Sequence, residues 1–320
     1  MFVIDDILGI SSSAEFERAA LELFTFQARE CQPYHEYLAL AGIDPAGVRS
    51  FADIPYLPIE IFKTHRVYCG AGEPEIVFTS SSTGGAGESK HYVARTEDYE
   101  KTFRRAFGMF YDQPAKYGIY ALLPGYLERE GSSLIYMMRD LVGNARTGGF
   151  YLHDHDRLIR DMEADHGPKI LFGVSYALWD LAELKPPRFN NLTVMETGGM
   201  KGHREELAKD EFHDLLCNAF GIRAIHSEYG MAELSSQAYS AGENIFRCPP
   251  WMRISLRDLN DPFETLTTGR GGVNIADLAN INSCAFIQTQ DIGTLYADGS
   301  FSVLGRADRS DIRGCNLLVG

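Results

Sequence analysis

At residues 78–91 the chain reads Phe78-Thr79-Ser80-Ser81-Ser82-Thr83-Gly84-Gly85-Ala86-Gly87-Glu88-Ser89-Lys90-His91. The apolar residues 76–78 predict a buried strand that runs into a loop of hydroxyl residues and glycines. Glycines let backbone N–H groups converge on an anion, hydroxyls add donors, and a lysine adds a positive charge. The stretch is therefore typical of a phosphate-binding loop, although its order differs from the Walker motif. The structural alternative is a flexible Ser/Gly-rich turn.

Composition limits the class of protein. The chain has 320 residues, of which 45% are hydrophobic, so it can bury a large core in one or two domains. The net charge of −14, from 30 basic and 44 acidic residues, argues against nucleic acid and anionic membranes as partners. No apolar run approaches the roughly 18 residues that cross a bilayer, and the N-terminus lacks the basic start of a signal peptide. The six cysteines are scattered and predict reduced thiols in a cytoplasm.

Helical and apolar segments alternate in the middle of the chain. Near the N-terminus, Ser12 and Glu15 have capping-box spacing, and the apolar residues 16, 20, 23 and 24 that follow predict a helix. Helices are also predicted at 97–110, 132–142 and 205–220, and buried strands at 118–124 and 169–174, with further strands beginning at 191 and 224. This alternation predicts α/β architecture with parallel pairing. From residue 263 onward, short β-like runs with turns, at 284–288, 294–296 and 301–304, predict a small sheet or barrel.

Polar and glycine residues follow the two later strands. Gly198-Gly199 follows the strand that begins at 191, and glycines at that end of a parallel strand let a flat ligand approach the backbone. The strand that begins at 224 leads into Glu228-Tyr229-Gly230-Met231-Ala232-Glu233. The tyrosine beside glycine is suited to stack on a base, and the later carboxylate is suited to hold a cation. Alternatively, Tyr229 is a core residue and Glu233 a charge at a helix N-terminus.

In this order the motifs resemble those of the acyl-adenylate-forming superfamily. Residues 54–65, 228–233 with 237–239, and the cysteine-bearing tail resemble more closely the acyl-protein synthetases of bacterial luminescence operons. The resemblance implies the α/β fold of the large N-terminal domain of these enzymes, with layered helices, mostly parallel sheets and a small β-barrel-like subdomain. It implies ATP and Mg²⁺ as cofactors, Glu233 as the metal-binding residue, and Cys315, Lys90 and Arg306 as catalytic residues. The nucleotide-binding residues that it implies are Ser80, Ser81, Ser82, Thr83, Gly84, Gly85, Lys90, Gly198, Gly199, Glu228, Tyr229, Gly230, Asp291 and Arg306.

The chain departs from the superfamily pattern in its loops and its tail. A glycine, at 84 or 85, replaces the second threonine of the usual phosphate loop, and Ala232 replaces the threonine of the Tyr-Gly motif. No lysine follows Lys209, and 15 residues follow Gly305. We therefore expect an N-terminal domain over 1–304, with a small β subdomain from about 245, followed by a hinge and truncated tail over 305–320. The usual C-terminal domain is expected to be missing or reduced to a stump, which disfavours a coenzyme A ligase.

The expected function is a long-chain-fatty-acid–protein ligase that uses ATP to form an acyl-adenylate and supplies an acyl-CoA or fatty acid reductase partner. An apolar acyl pocket is expected between residues 119–123 and 226–231. The resemblance implies Cys315 as the acyl acceptor; an extended tail could carry it up to about 25 Å from Asp308, and Arg309 and Arg313 would favour its thiolate. Otherwise Cys315 is a small buried apolar residue. The alternative functions are a non-catalytic nucleotide- and acyl-binding subunit and an aryl- or acyl-CoA ligase fragment.

Overall fold

The computed structural model of the chain describes residues 2–80, 87–124, 131–198, 207–261 and 263–306. In chain order the α-helices in these ranges are α1 (Ile4–Leu8), α2 (Ser13–Glu30), α3 (Gln32–Leu40), α4 (Ile61–Thr64), α5 (Thr96–Tyr111), α6 (Ser133–Gly143), α7 (His155–Ala164), α8 (Ser175–Glu183) and α9 (Lys209–Phe220). Short 3-10 helices lie at Pro45–Gly47, Phe51–Asp53 and Pro114–Lys116. No helix in the described ranges combines the length and apolarity needed to cross a membrane.

The strands in these ranges are β1 (Leu57–Pro58), β2 (Ile76–Thr79), β3 (Lys90–Val93), β4 (Gly118–Leu122), β5 (Thr147–Phe150), β6 (Lys169–Val174), β7 (Leu192–Thr197), β8 (His226–Tyr229), β9 (Ala238–Ser240), β10 (Phe246–Arg247), β11 (Met252–Arg257), β12 (Thr265–Leu266), β13 (Gly269–Asp277), β14 (Phe286–Leu295) and β15 (Phe301–Arg306). The chain divides into two compact units. The first comprises Met1–Thr102, Ala232–Ser236 and Arg247–Gly320, and the second comprises Phe103–Met231 and Gln237–Phe246.

Helix α2 supplies much of the core of the first unit. Its N-terminus has a capping box, in which Ser12 and Glu15 each accept a hydrogen bond from the other's backbone N–H. Its buried face includes the four residues 16, 20, 23 and 24 that follow the predicted helical spacing. Phe24 packs edge-on against Tyr34 and Phe286, with ring centroids 6.0 and 6.2 Å apart. The local sequence pattern therefore identified both the start and the buried face of this helix.

The sheet of the first unit is antiparallel, in the order β12-β11-β13-β14-β15. The short strand β1 adds to β14 in parallel, with Leu57 opposite Ile287, and β2 and β3 form a separate hairpin. The runs predicted at 284–288 and 294–296 overlap the two ends of one strand, β14, whose register with β15 shifts between Ile292 and Gly293. A β-bulge lets a strand bend without ending, so the turn-like residues between the two runs remain within the strand.

The second unit contains a mostly parallel sheet in the order β9-β8-β7-β6-β4-β5. Strands β5, β4, β6, β7 and β8 pair in parallel, and β9 is antiparallel to β8. Every residue of β4 and β6 is buried, as expected for strands covered on both faces. Helix α9 begins at Lys209, because Ala208 has a non-helical ψ of 142°. The predicted α/β class with parallel pairing is confirmed, and the carboxyl ends of β6, β7 and β8 lead into Ser175, Gly198 and Gly230.

Candidate functional site

The β2–β3 hairpin holds both ends of the predicted phosphate-binding loop. Thr79 lies opposite Lys90 in the antiparallel pairing. The Ser89 N–H donates to the Ser80 hydroxyl at 3.0 Å, and the Ser80 N–H donates to the Ser89 carbonyl at 3.1 Å. Lys90 is exposed at the start of β3, so its ammonium group is accessible to an anion.

Glu233 is a buried carboxylate in the same unit, 4% exposed. Burial raises the pKa of Glu233, while a hydrogen bond with the Ser89 side chain and the positive charges of Arg306 and Lys63 act in the opposite direction. Burial disfavours the charged form of a carboxyl group, so a bound cation would stabilise the ionised form of Glu233.

The residues around Glu233 are compatible with Mg²⁺. Among the described residues, no group of three or more His, Cys, Asp or Glu side chains is arranged to hold a metal ion. Mg²⁺ in phosphate-transfer sites is usually held by one or two carboxylates, with the remaining ligands from substrate phosphates and water. A single buried carboxylate such as Glu233 satisfies that requirement.

Two buried side chains hold the main chain at Glu233. His91 Nδ1 lies 2.9 Å from the Ala232 carbonyl, and burial lowers the pKa of His91 to about 4. The imidazole is therefore neutral near pH 7, with its proton on Nδ1, where it can donate to this carbonyl. The Asn280 amide donates to the Glu233 carbonyl at 2.8 Å. Sequence reasoning missed Asn280 and this role of His91, because no local pattern reveals contacts between residues 141 and 47 positions apart.

Asp291 and Arg306 face each other across β14 and β15. Their Cα atoms are partners in the antiparallel pairing, and Arg306 Nε lies 3.5 Å from Asp291 Oδ1. Asp291 is buried, whereas the Arg306 side chain is 72% exposed. The structure thus brings together two of the predicted nucleotide-binding residues, one fixed in the sheet and one open to solvent.

In the second unit, Glu228 at the carboxyl end of β8 pairs with Thr197 of β7. The Thr197 hydroxyl donates to Glu228 Oε2. Burial raises the pKa of Glu228 to about 7, against the opposing effect of this hydrogen bond. A Cβ atom at Gly230 would lie 2.5 Å from Glu228 Oε1, so any larger residue at this position would require the Glu228 carboxyl group to shift. The adjacent Tyr229 ring lies 5.8 Å from the Phe246 ring.

A second buried carboxylate, Glu196, lies close to the Gly198 turn. Lys209 Nζ and His213 Nε2 lie 2.6 and 3.2 Å from Glu196 Oε2. Burial raises the pKa of Glu196, but the His213 hydrogen bond and the Lys209 charge outweigh it, and the pKa falls below its usual value. The Ser175 hydroxyl contacts Glu196 and lies 2.9 Å from the Gly198 carbonyl. Gly198 itself has a left-handed φ of +74°, which glycine adopts without strain. Sequence reasoning missed this cluster.

The predicted residues fall into three groups. The first unit holds Ser80, Lys90, Glu233, Asp291 and Arg306, and the second holds Gly198, Glu228, Tyr229 and Gly230. Outside the described residues lie Ser81, Ser82, Thr83, Gly84, Gly85, Gly199 and Cys315.

Comparisons with known proteins show a shared fold. The fold is similar to an open conformation of 2-hydroxyisobutyryl-CoA ligase in complex with 2-HIB-AMP and CoA, with a TM-score of 0.69 and 14% identity over 94% of this chain and 77% of that chain. It is also similar to ATP-bound MatB from Rhodopseudomonas palustris, with a TM-score of 0.56 and 16% identity over 74% of this chain and 49% of that chain.

In sequence, the chain is 24% identical over 140 residues to the long-chain-fatty-acid–luciferin-component ligase of Vibrio harveyi. The matched stretch spans 40% of this chain and 37% of that relative. No protein-family profile matches the chain. The described chain has the fold of the N-terminal domain of the acyl-adenylate-forming ligases.

Proposed function

We propose that the protein is an ATP-dependent ligase that activates a long-chain fatty acid as an acyl-adenylate and passes the acyl group to a protein cysteine. The observation that carries the proposal is the combination of a buried Glu233, an exposed Lys90 and the Asp291–Arg306 pair on an adenylate-forming fold. The fatty acid is suggested by the Vibrio harveyi relative, whose name gives a long-chain fatty acid as its substrate.

The first half-reaction joins the acid to AMP. The substrate carboxylate attacks the α-phosphorus of ATP, the bond to the bridging oxygen breaks, and pyrophosphate leaves. Lys90 and the loop donors would neutralise the charge on the phosphates, because fixed positive groups stabilise charge that develops in the transition state. Glu233 would hold Mg²⁺, which supplies further charge neutralisation at the phosphate oxygens.

Other residues would hold the nucleoside. Asp291 would accept hydrogen bonds from the ribose hydroxyls, and Arg306, oriented by Asp291, would reach the ribose or a phosphate. Gly198, Tyr229 and Gly230 would line the base, since glycines allow close approach and the tyrosine offers an aromatic face. Glu228 would contact the nucleotide through its buried carboxyl group.

The second half-reaction transfers the acyl group. A thiolate attacks the carbonyl carbon of the acyl-adenylate, the bond to the phosphate oxygen breaks, and AMP leaves with the electron pair. We propose Cys315 as this thiol and a fatty acid or acyl-CoA reductase as the protein that receives the group. We also propose a cytoplasmic location, because the cysteines within the described ranges are free thiols, which persist in reducing compartments.

Acid-dependent exchange of labelled pyrophosphate into ATP tests the proposal. With linear acids of increasing length, kcat/KM should rise by roughly fourfold per methylene, or about 0.8 kcal/mol, until the pocket is filled. Absence of exchange with every acid would favour a non-catalytic nucleotide-binding subunit. Equal activity with short, branched or aromatic acids would contradict the fatty acid assignment, and release of acyl-CoA on addition of coenzyme A would favour a CoA ligase.

A further inference from the structure

We infer that Asn280 is a positioning residue for Glu233, and that its amide fixes the main chain from which the Glu233 carboxylate would hold Mg²⁺. The inference rests on the function proposed above, because it takes Glu233 as the carboxylate that binds the metal. It goes beyond that proposal because Asn280 lies outside the sequence motifs on which the proposal rests. Both residues belong to the first unit.

Both the NH₂ group and the carbonyl oxygen of the Asn280 side chain form hydrogen bonds. Its Nδ2 donates to the Glu233 carbonyl at 2.8 Å and lies 3.3 Å from the Cys284 carbonyl. Its Oδ1 accepts a hydrogen bond from the Ser235 hydroxyl. The side chain is 2% exposed, so water does not compete for these contacts. Two carbonyls need a donor and one hydroxyl needs an acceptor, and an amide supplies both. The Asn280 side chain also forms a hydrogen bond with His91.

The segment that follows Glu233 is fixed by a neighbouring carboxylate. Asp277 Oδ2 accepts from the Ser235 and Ser236 N–H groups at 2.8 and 2.9 Å, and Oδ1 accepts from the Ser236 hydroxyl at 2.7 Å. Trp251 Nε1 donates to that same hydroxyl at 2.9 Å. Ser235 and Ser236 therefore cannot shift without breaking buried hydrogen bonds, and a single residue, Leu234, separates them from Glu233.

The loop that presents Asn280 is itself held. Gln27 Nε2 donates to the Asn280 and Ile281 carbonyls at 2.7 and 3.0 Å, and Gln27 Oε1 accepts from the Ala285 N–H at 2.9 Å. Gln27 is completely buried, and the Asn280 N–H donates to the Asp277 carbonyl at 3.0 Å. The donor that reaches Glu233 thus comes from a segment with little freedom to move, so it restricts the Glu233 peptide to one position.

Loss of this donor should appear as weaker metal binding. Partners that orient a metal ligand typically contribute about 10–100-fold in metal affinity or activity. Asn280→Asp keeps the size of the side chain but replaces the donating NH₂ by an oxygen. We expect the full-length variant to bind Mg²⁺ about 10–100-fold more weakly than wild type, measured by titration calorimetry with saturating α,β-methylene-ATP. The Mg²⁺ concentration for half-maximal pyrophosphate exchange should rise in parallel, with the KM for the acid unchanged.

A matched control separates positioning from general stability. Tyr34→Phe removes another buried hydrogen bond to a main-chain carbonyl in the same unit, that of Tyr34 to Pro55. It should lower the urea midpoint of unfolding and leave Mg²⁺ binding unchanged. Ser235→Ala is a milder variant that removes only the hydroxyl donating to Asn280, and it should weaken Mg²⁺ binding less, in the same direction. If Asn280→Asp does not fold, the Mg²⁺ affinity of Ser235→Ala tests the positioning role instead.

The outcomes are distinct for the two proposals. Wild-type Mg²⁺ affinity in Asn280→Asp, or in Ser235→Ala if the former is unfolded, overturns the positioning role. An equal loss in Tyr34→Phe also overturns it. If wild type binds Mg²⁺ and the ATP analogue but exchanges no pyrophosphate with any acid, the ligase proposal fails while the calorimetric test of Asn280 stands. If wild type binds no Mg²⁺ with the analogue, both proposals fail.

Discussion

The ring nitrogen Nδ1 of His91 lies 2.9 Å from the main-chain oxygen of Ala232. The residue before His91 is Lys90, the proposed phosphate contact, and the residue after Ala232 is Glu233, the proposed metal ligand. One buried hydrogen bond therefore joins the two short segments that carry these opposite charges. Because phosphates and Mg²⁺ bind together, a fixed distance between the segments would favour both contacts.

Burial of His91 should make stability sensitive to acid, although the hydrogen bond to Ala232 opposes the fall in its pKa. The pKa of His91 is about 4 in the folded protein and roughly 6.5 when unfolded. Between these values the unfolded state binds more protons, so stability is lost as pH falls from about 6.5 to about 4. His91→Asn cannot titrate. When the pH is lowered from 7 to 4, the free energy of unfolding of wild type should therefore fall by about 3 kcal/mol more than that of His91→Asn. Urea unfolding at the two pH values measures this difference. A constant difference would contradict the burial argument.

Replacement of Glu233 tests the proposed metal ligand. Glu233→Gln keeps the shape and removes one negative charge, so we expect the pyrophosphate-exchange rate to fall on the order of 10²–10³-fold, the scale for loss of one charge-stabilising group. Glu73→Gln is the control, because Glu73 is an exposed glutamate in the same unit, paired with Arg66 at 2.8 Å. Near-wild-type exchange in Glu233→Gln would rule out the assignment.

The Asp291–Arg306 pair has a matched counterpart in Asp298–Arg247, whose Arg Nη2 and Asp Oδ2 atoms are 2.9 Å apart in the same unit. Asp291→Asn should raise the KM for ATP on the order of 10–100-fold, because hydrogen bonds to a charged group are lost. The kcat should change less, since ribose contacts are made equally in the ground and transition states. Asp298→Asn should leave both constants unchanged. Equal effects of the two variants would mean that Asp291 acts only in folding.

Ionisation of the buried Glu228 carboxyl group should lower the stability of the folded protein above neutral pH. Its pKa is about 7 in the folded protein, above the value of roughly 4.3 expected when unfolded. The folded state therefore binds more protons in this window, and stability falls as pH rises through it. Glu228→Gln cannot ionise, so its free energy of unfolding should not fall in this window. Relative to wild type, the variant should be up to about 3 kcal/mol more stable at pH 8 than it is at pH 4. If Glu228 contacts the nucleotide, the same variant should bind ATP more weakly. If Glu228→Gln is both stabilised and fully active, Glu228 is not part of the nucleotide-binding site.

Cys315→Ser separates the two half-reactions. Acid-dependent pyrophosphate exchange should persist, because adenylation does not use the thiol, whereas stable, hydroxylamine-sensitive labelling by radioactive fatty acid should be lost. Cys217→Ser is the control, because Cys217 is a half-buried thiol on α9. If labelling persists in Cys315→Ser, or if exchange is lost with it, Cys315 is not the acyl acceptor.

The sequence alone determined several of the elements and the order of the motifs. The Ser12–Glu15 capping box, the buried face of α2 and the all-buried strands β4 and β6 are local properties, because capping and periodicity depend on residues a few positions apart. The α/β class followed from their alternation. Where the local pattern was ambiguous the prediction differed from the structure: β14 passes through residues that read as a turn, since pairing with β13 and β15 outweighs local preference.

Only the tertiary structure decided how the candidate residues are held. Asn280 reaches Glu233 across 47 positions, and Lys209 and His213 contact Glu196 from a separate helix. The burial that lowers the pKa of His91 and raises that of Glu228 depends on packing around each side chain. Motifs show which chemical groups are present. The charge states and positions of these groups are set by desolvation and by hydrogen bonds between distant segments. Both effects arise only once the chain has folded.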